Sequence, residues 1–135
     1  MKRLVILVIG LFLLGTSAFA ETKKEDKMVF LSHCSNFGTD VSFSFQSCVN
    51  RNFDAIKREV RSSSFYMYCS NIGSDVQWSY TNCIQSNFSR VERDLQNAVY
   101  LQYCSNFGRE LSFMYVSCVN RNFRSIERFL NSQNN

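Results

Sequence analysis

The stretch CSNFGTDVSFSFQSCVNRNF, residues 34–53, returns as CSNIGSDVQWSYTNCIQSNF from Cys69 and as CSNFGRELSFMYVSCVNRNF from Cys104. The offset is 35 residues each time and no gap is needed. Seven positions are the same in all three copies, among them both cysteines, the Ser-Asn pair after the first, the glycine, and the closing Asn-Phe. Arg58, Arg93 and Arg128 also coincide, ten residues after the second cysteine. A period of this size is one supersecondary unit that cannot bury its apolar face alone and must stack on neighbours.

Two segments of the unit carry helical spacing. Phe30, Cys34 and Phe37 recur at i, i+4 and i+7, as do Phe65, Cys69, Ile72 and Tyr100, Cys104, Phe107, so the spacing predicts a short first helix that stops at Gly38, Gly73 and Gly108. Asp40, Asp75 and Glu110 stand where an acidic side chain caps or favours the start of a second helix. That second helix gathers Cys48, Val49, Asn52, Phe53, Ile56 and Val60 on one stripe. The expected fold class is therefore all-α: three tandem 35-residue helix-turn-helix repeats with one disulfide per repeat. Residues 41–45, 76–80 and 111–115 alternate with period two, so an α/β repeat with a short strand there is the alternative. Val41, Phe45 and Cys48 also fit helical spacing, which favours helix.

Ahead of the repeats, residues 1–20 have the layout of a secretory signal peptide: Lys2 and Arg3, an apolar run from Leu4 to Leu14, and Ala18-Phe19-Ala20 before a charged stretch. The apolar run is too short for a membrane anchor, which needs about 18 or more residues, and no second stretch of spanning length follows. The expected domains are the signal at 1–20, a charged segment at 21–27, and one domain at 28–135 whose repeats run about 28–61, 62–96 and 97–130. Cleavage after Ala20 makes the product secreted or periplasmic. It also removes two of the 15 basic residues and none of the 11 acids, and so weak a remaining excess argues against nucleic acid as a partner.

All six cysteines, Cys34, Cys48, Cys69, Cys83, Cys104 and Cys118, lie beyond the signal, and an even count in an oxidising compartment indicates disulfides. Only pairing within each unit uses every thiol alike: Cys34 with Cys48, Cys69 with Cys83, Cys104 with Cys118. Fourteen residues of unbroken helix would set the partners about 21 Å apart, well past the reach of a disulfide, so the chain must reverse near each glycine. Without CxxC pairs or recurring histidines, no metal and no other cofactor is expected.

No catalytic constellation is legible, and an enzyme is not expected. His33 is a lone ring, replaced by Tyr68 and Tyr103 in the other units. Asn52, Asn87 and Asn122, on or near the buried stripe, are expected to satisfy carbonyls at the end of the first helix or in the turn. The sequon Asn87-Phe88-Ser89 lies on that inward stripe and has no counterpart in the sister units, which makes it incidental. Most of the 18 aromatic residues after residue 20 are expected to pack a core. Two sets stand out as a possible binding surface: Phe43, Trp78 and Phe113, which lie off the buried stripe, and Arg58, Arg93 and Arg128, which stacked helices would set in a row attractive to an anionic envelope or extracellular ligand, or to a protein. The functional expectation is a binding or interaction module of unknown ligand. The alternatives are a structural envelope protein and a small secreted effector or inhibitor of another protein. A binding module requires Phe43, Trp78 and Phe113 to be exposed; a purely structural protein would cover them.

Overall fold

The computed structural model describes residues 27–134; the expected signal peptide and residues 21–26 lie outside the described residues. Three helices, α1 (Phe43–Val60), α2 (Trp78–Asp94) and α3 (Phe113–Ser132), are the regular elements among the described residues, and there is no strand. The chain is thus all-α with three repeats, and the alternating segment 41–45 straddles the helix cap, with 41–42 ahead of α1 and 43–45 in its first turn. Within α1, Phe45, Cys48, Val49, Asn52, Phe53 and Ile56 are buried while Phe43 is exposed, the pattern of a 3.6-residue period. Val41 is buried too but lies ahead of the extended cap residue Ser42.

The expected first helix is not formed. Residues 27–37 and their counterparts 65–72 and 99–107 have no helical assignment and run as irregular arms beside the helices. Phe30 and Phe37, which would have shared a buried helix face with Cys34, are exposed, whereas Val29 and Cys34 are buried. Packing wins here over local spacing: side chains of the helices occupy the arm's backbone groups, so the arm cannot bond to itself. Asn52 accepts from the Ser32 N–H at 2.9 Å and donates to the Ser32 carbonyl at 2.8 Å. Asn87 does the same to Met67 and Asn122 to Gln102. The buried asparagines therefore act on backbone as expected, though on an arm rather than a helix end. Asn87 is fully buried with its amide engaged on both sides, which leaves the sequon no accessible acceptor.

Each arm turns into its helix around a second asparagine. Asn36 donates to the carbonyls of Gly38 and Asp40, at 3.0 and 2.9 Å, and accepts from the Ser42 N–H at 2.8 Å. Asn71 and Asn106 repeat the arrangement. The turn needs a left-handed residue, and Gly38, Gly73 and Gly108 supply it at φ +90°, +93° and +95°. Because the loop wraps around that amide, the helix starts later than the acidic residues, and none stands in a first turn. The caps are Ser42 and Ser112, whose hydroxyls accept from the N–H of Phe45 and Tyr115; Gln77 starts α2 without a side-chain cap.

The disulfides join Cys34 to Cys48, Cys69 to Cys83 and Cys104 to Cys118, with Cα separations of 5.5, 5.6 and 5.7 Å. Each ties an arm to its own helix, and no cysteine is free.

Neighbouring units are joined by a further set of side chains, and the set closes on itself. Asn50 of α1 accepts from the N–H of Cys69 and donates to its carbonyl, at 2.8 Å each. Gln85 of α2 accepts from Cys104 N–H at 3.1 Å. Asn120 of α3 then grips Cys34, back in the first unit. Glu127 and Asn131 of α3 also hold the first arm, at Leu31 and Val29. Every arm thus lies between its own helix and the preceding one, with the third helix preceding the first. Phe53, Phe88 and Phe123 meet pairwise with ring centroids 5.1 Å apart in all three pairs. Equal distances among three equivalent residues define a pseudo-threefold axis through the core. The repeats stack neighbour on neighbour as expected, but into a closed ring instead of a row.

Candidate interaction surface

Ring closure decides which side chains can act together. A threefold rotation keeps equivalent atoms at one height along its axis, so the three helix N-termini share one end of the molecule. The loops before them are joined there: Val76 N–H donates to the Arg109 carbonyl and Leu111 N–H to the Thr39 carbonyl, both at 2.7 Å. Asp75 also pairs with Arg109, accepting from Nε at 2.7 Å.

Six apolar side chains crowd this end. Phe43, Trp78 and Phe113, the first residues of the helices, are 79%, 77% and 81% exposed. Phe37, Ile72 and Phe107, each just before a glycine, are 83%, 77% and 89% exposed. The two sets interleave across unit boundaries. Trp78 of the second unit lines a shallow recess with Phe107 of the third, and Phe113 of the third lines another with Asn36 and Gly38, the neighbours of Phe37 in the first. The expected trio is therefore exposed, and its partners at 37, 72 and 107 are residues that sequence reading had placed on a buried helix face. Together the six exposed side chains form an apolar crown at this end of the molecule.

The crown belongs to a wider pattern. Ten of the 18 aromatic residues after residue 20 are exposed, which corrects the expectation that most pack the core. The arm is the reason: irregular and half-wedged between helices, it buries Cys34 and its like and turns Phe30, Phe65, Tyr68, Tyr100 and Tyr103 outward. In the third unit Tyr100, Tyr103, Phe107, Met114 and Arg121 line an open groove of about 720 Å³. Arg121 donates to Gln102 at 2.9 Å there, and Met114 stands where the sister units have Ser44 and Ser79. His33 is exposed on the first arm.

Arg58, Arg93 and Arg128 are exposed, but they do not form a row. Each follows an axis-facing phenylalanine by five residues, and five steps of about 100° point a side chain some 140° away from the axis. The three arginines therefore face outward in three directions. Arg128 leans on its own helix, donating to the Arg124 carbonyl and the Ser125 hydroxyl.

Three phenolic groups are pushed far above the ordinary tyrosine range. Burial does this to Tyr80, helped by Tyr115 and Tyr68, and to Tyr115, helped by Tyr103. Burial also raises Tyr66, with its hydrogen bond to Asp94 adding to the effect. For the Asp94 carboxyl, burial acts upward, but hydrogen bonds from Ser64, Tyr66 and Ser62 and the nearby Arg93 outweigh it and leave the group below the usual carboxylate range. Asp94 thus binds the start of the second arm to the end of α2.

Among the described residues no helix is long and apolar enough to cross a membrane. Comparison with protein-family models, with curated proteins and with solved structures finds no match to this chain.

Proposed function

We propose that the chain is an exported, non-enzymatic binding module whose recognition surface is the apolar crown. The observation that carries this reading is the exposure of Phe43, Trp78 and Phe113, at 79%, 77% and 81%, at helix starts whose preceding loops are each held on a half-buried asparagine amide by hydrogen bonds. A protein of purely structural role gains nothing from six large apolar side chains in water, and contiguous exposed apolar surface marks interaction sites. Three disulfides in a chain without free cysteines support an oxidising compartment, and residues 1–20 supply the route to it. The arginines, dispersed over three faces, are poorly arranged to take one anionic ligand.

The test is capture of partners from the native envelope or extracellular fraction. The parent protein is compared with Phe43→Ser/Trp78→Ser/Phe113→Ser and with Arg58→Glu/Arg93→Glu/Arg128→Glu. The reading predicts loss with the first variant and retention with the second. Retention by both would refute it.

A further inference from the structure

We infer that the crown docks on a zwitterionic phospholipid surface; this rests on the reading of the crown as the recognition surface and names its partner. Three observations select that occupant. The first is shape. Rotation about the pseudo-threefold axis sets Phe37, Ile72 and Phe107 at one height and Phe43, Trp78 and Phe113 at another, and the recess shared by Trp78 and Phe107 and that of Phe113 with Asn36 and Gly38 bring the two sets together as a ring. A planar interface can engage side chains all round the ring, whereas the open groove of the third unit, the larger recess available to a small ligand, takes in Phe107 alone of the six.

The second is rigidity. Each loop is pinned on its asparagine by three hydrogen bonds and tied to a neighbouring loop, so little ordering is lost when the side chains enter the interface. Aromatic residues, tryptophan above all, favour the headgroup level of a bilayer.

The third is charge. The loops of the crown carry Asp40, Asp75, Glu110 and Arg109, and the Asp75–Arg109 pair cancels two of these. Among the described residues, Asp40 and Glu110 then remain as carboxylates without an ion-pair partner in the crown loops. An anionic membrane would repel them, while a zwitterionic one presents an ammonium group outermost. Amphipathic segments that bind anionic lipid put lysine and arginine beside their apolar face, and here the basic residues lie mainly on the outward helix faces.

The chain supplies its own probe, since Trp78 is its sole tryptophan and lies in the crown. The oxidised protein from residue 21 onward is titrated with vesicles of pure phosphatidylcholine and with equimolar phosphatidylcholine and phosphatidylglycerol. We expect a blue shift of Trp78 emission and co-sedimentation with the pure zwitterionic vesicles, and weaker binding to the mixed ones. Phe107→Ser, or Ile72→Ser should the first fail to fold by circular dichroism, should weaken partition by about tenfold. Asp40→Asn/Glu110→Gln should abolish the discrimination against the mixed vesicles, and the triple arginine variant should bind pure phosphatidylcholine as the parent does. No shift and no sedimentation with phosphatidylcholine overturns the lipid proposal. So does binding that requires phosphatidylglycerol and is lost in the arginine variant. If vesicles are ignored while the crown variant still loses a captured protein, the lipid assignment falls and the module reading stands; if crown substitutions alter neither, both fall.

Discussion

The Asn120 amide holds both backbone groups of Cys34, 86 residues earlier in the chain, with Oδ1 2.7 Å from the N–H nitrogen and Nδ2 2.7 Å from the carbonyl oxygen. The same grip links Asn50 to Cys69 only 19 residues on. One contact thus serves both as an ordinary link between neighbours and as the clasp that turns three repeats into a ring. Asn120→Ala leaves the buried Cys34 groups without partners, at a cost of about 2–3 kcal/mol, and urea denaturation should show it as a lower midpoint. Asn50→Ala should cost a similar amount, because a closed ring has no terminal interface.

Gln85 occupies the third place in this set but accepts one bond from Cys104, at 3.1 Å. Gln85→Asn restores the side-chain length used at Asn50 and Asn120 and should add the missing bond to the Cys104 carbonyl. The expected gain is about 0.5–1.5 kcal/mol, read as a higher urea midpoint at unchanged slope.

Tyr80 and Tyr115 bury hydroxyls that have no hydrogen-bond partner among the described residues, at the position where the first unit has Phe45. Tyr80→Phe and Tyr115→Phe should be neutral or stabilising, whereas Phe45→Tyr should destabilise by about 1–3 kcal/mol as a third unpartnered hydroxyl enters the core. The phenols also set a pH dependence. Their folded pKa values are raised above the unfolded value near 10, so above that pH the folded state retains protons that the unfolded chain releases. Stability is full below about pH 10 and falls as pH rises beyond it. The double phenylalanine variant should lose less over that range, Tyr66 supplying what remains.

At the acid end the sign reverses. Asp94 is held below the ordinary range, so its contribution is present above the unfolded carboxylate pKa near 4 and is lost as pH falls. Asp94→Asn should flatten that part of the stability curve and loosen the start of the second arm, seen as faster amide exchange at residues 64–66.

How much of this was legible beforehand follows from which interactions are local. The 35-residue period, the pairing of Cys34 with Cys48 and its copies, and the reversal at Gly38 all depend on contacts within one unit, where symmetry and chain reach decide. The spacing of Phe45 and Cys48 likewise favours the helix over the competing strand, although Val41, which the same spacing takes in, precedes the cap at Ser42. The arm was misread because Phe30, Cys34 and Phe37 have helical spacing while their environment is set by Asn52 and Asn120 from two different helices. A usable signal was present in Val99-Tyr100-Leu101, where buried residues flank an exposed one in alternation. Ring closure left no such trace. A repeat period is compatible with an open stack and with a ring, and Asn50, Gln85 and Asn120 look like ordinary helix residues until their partners are known. The crown was half legible: Phe43, Trp78 and Phe113 stood off the stripe, but Phe37, Ile72 and Phe107 joined them only once the arm proved irregular.

The closed ring is tested most directly by proton–proton contacts in solution among the rings of Phe53, Phe88 and Phe123. Closure predicts all three pairs at comparable strength, in keeping with centroid separations of 5.1 Å for each. An open stack would keep Phe53–Phe88 and Phe88–Phe123 but set Phe53 and Phe123 two helix layers apart, roughly 16–20 Å. Absence of the Phe53–Phe123 contact in a protein that shows the other two would contradict the account.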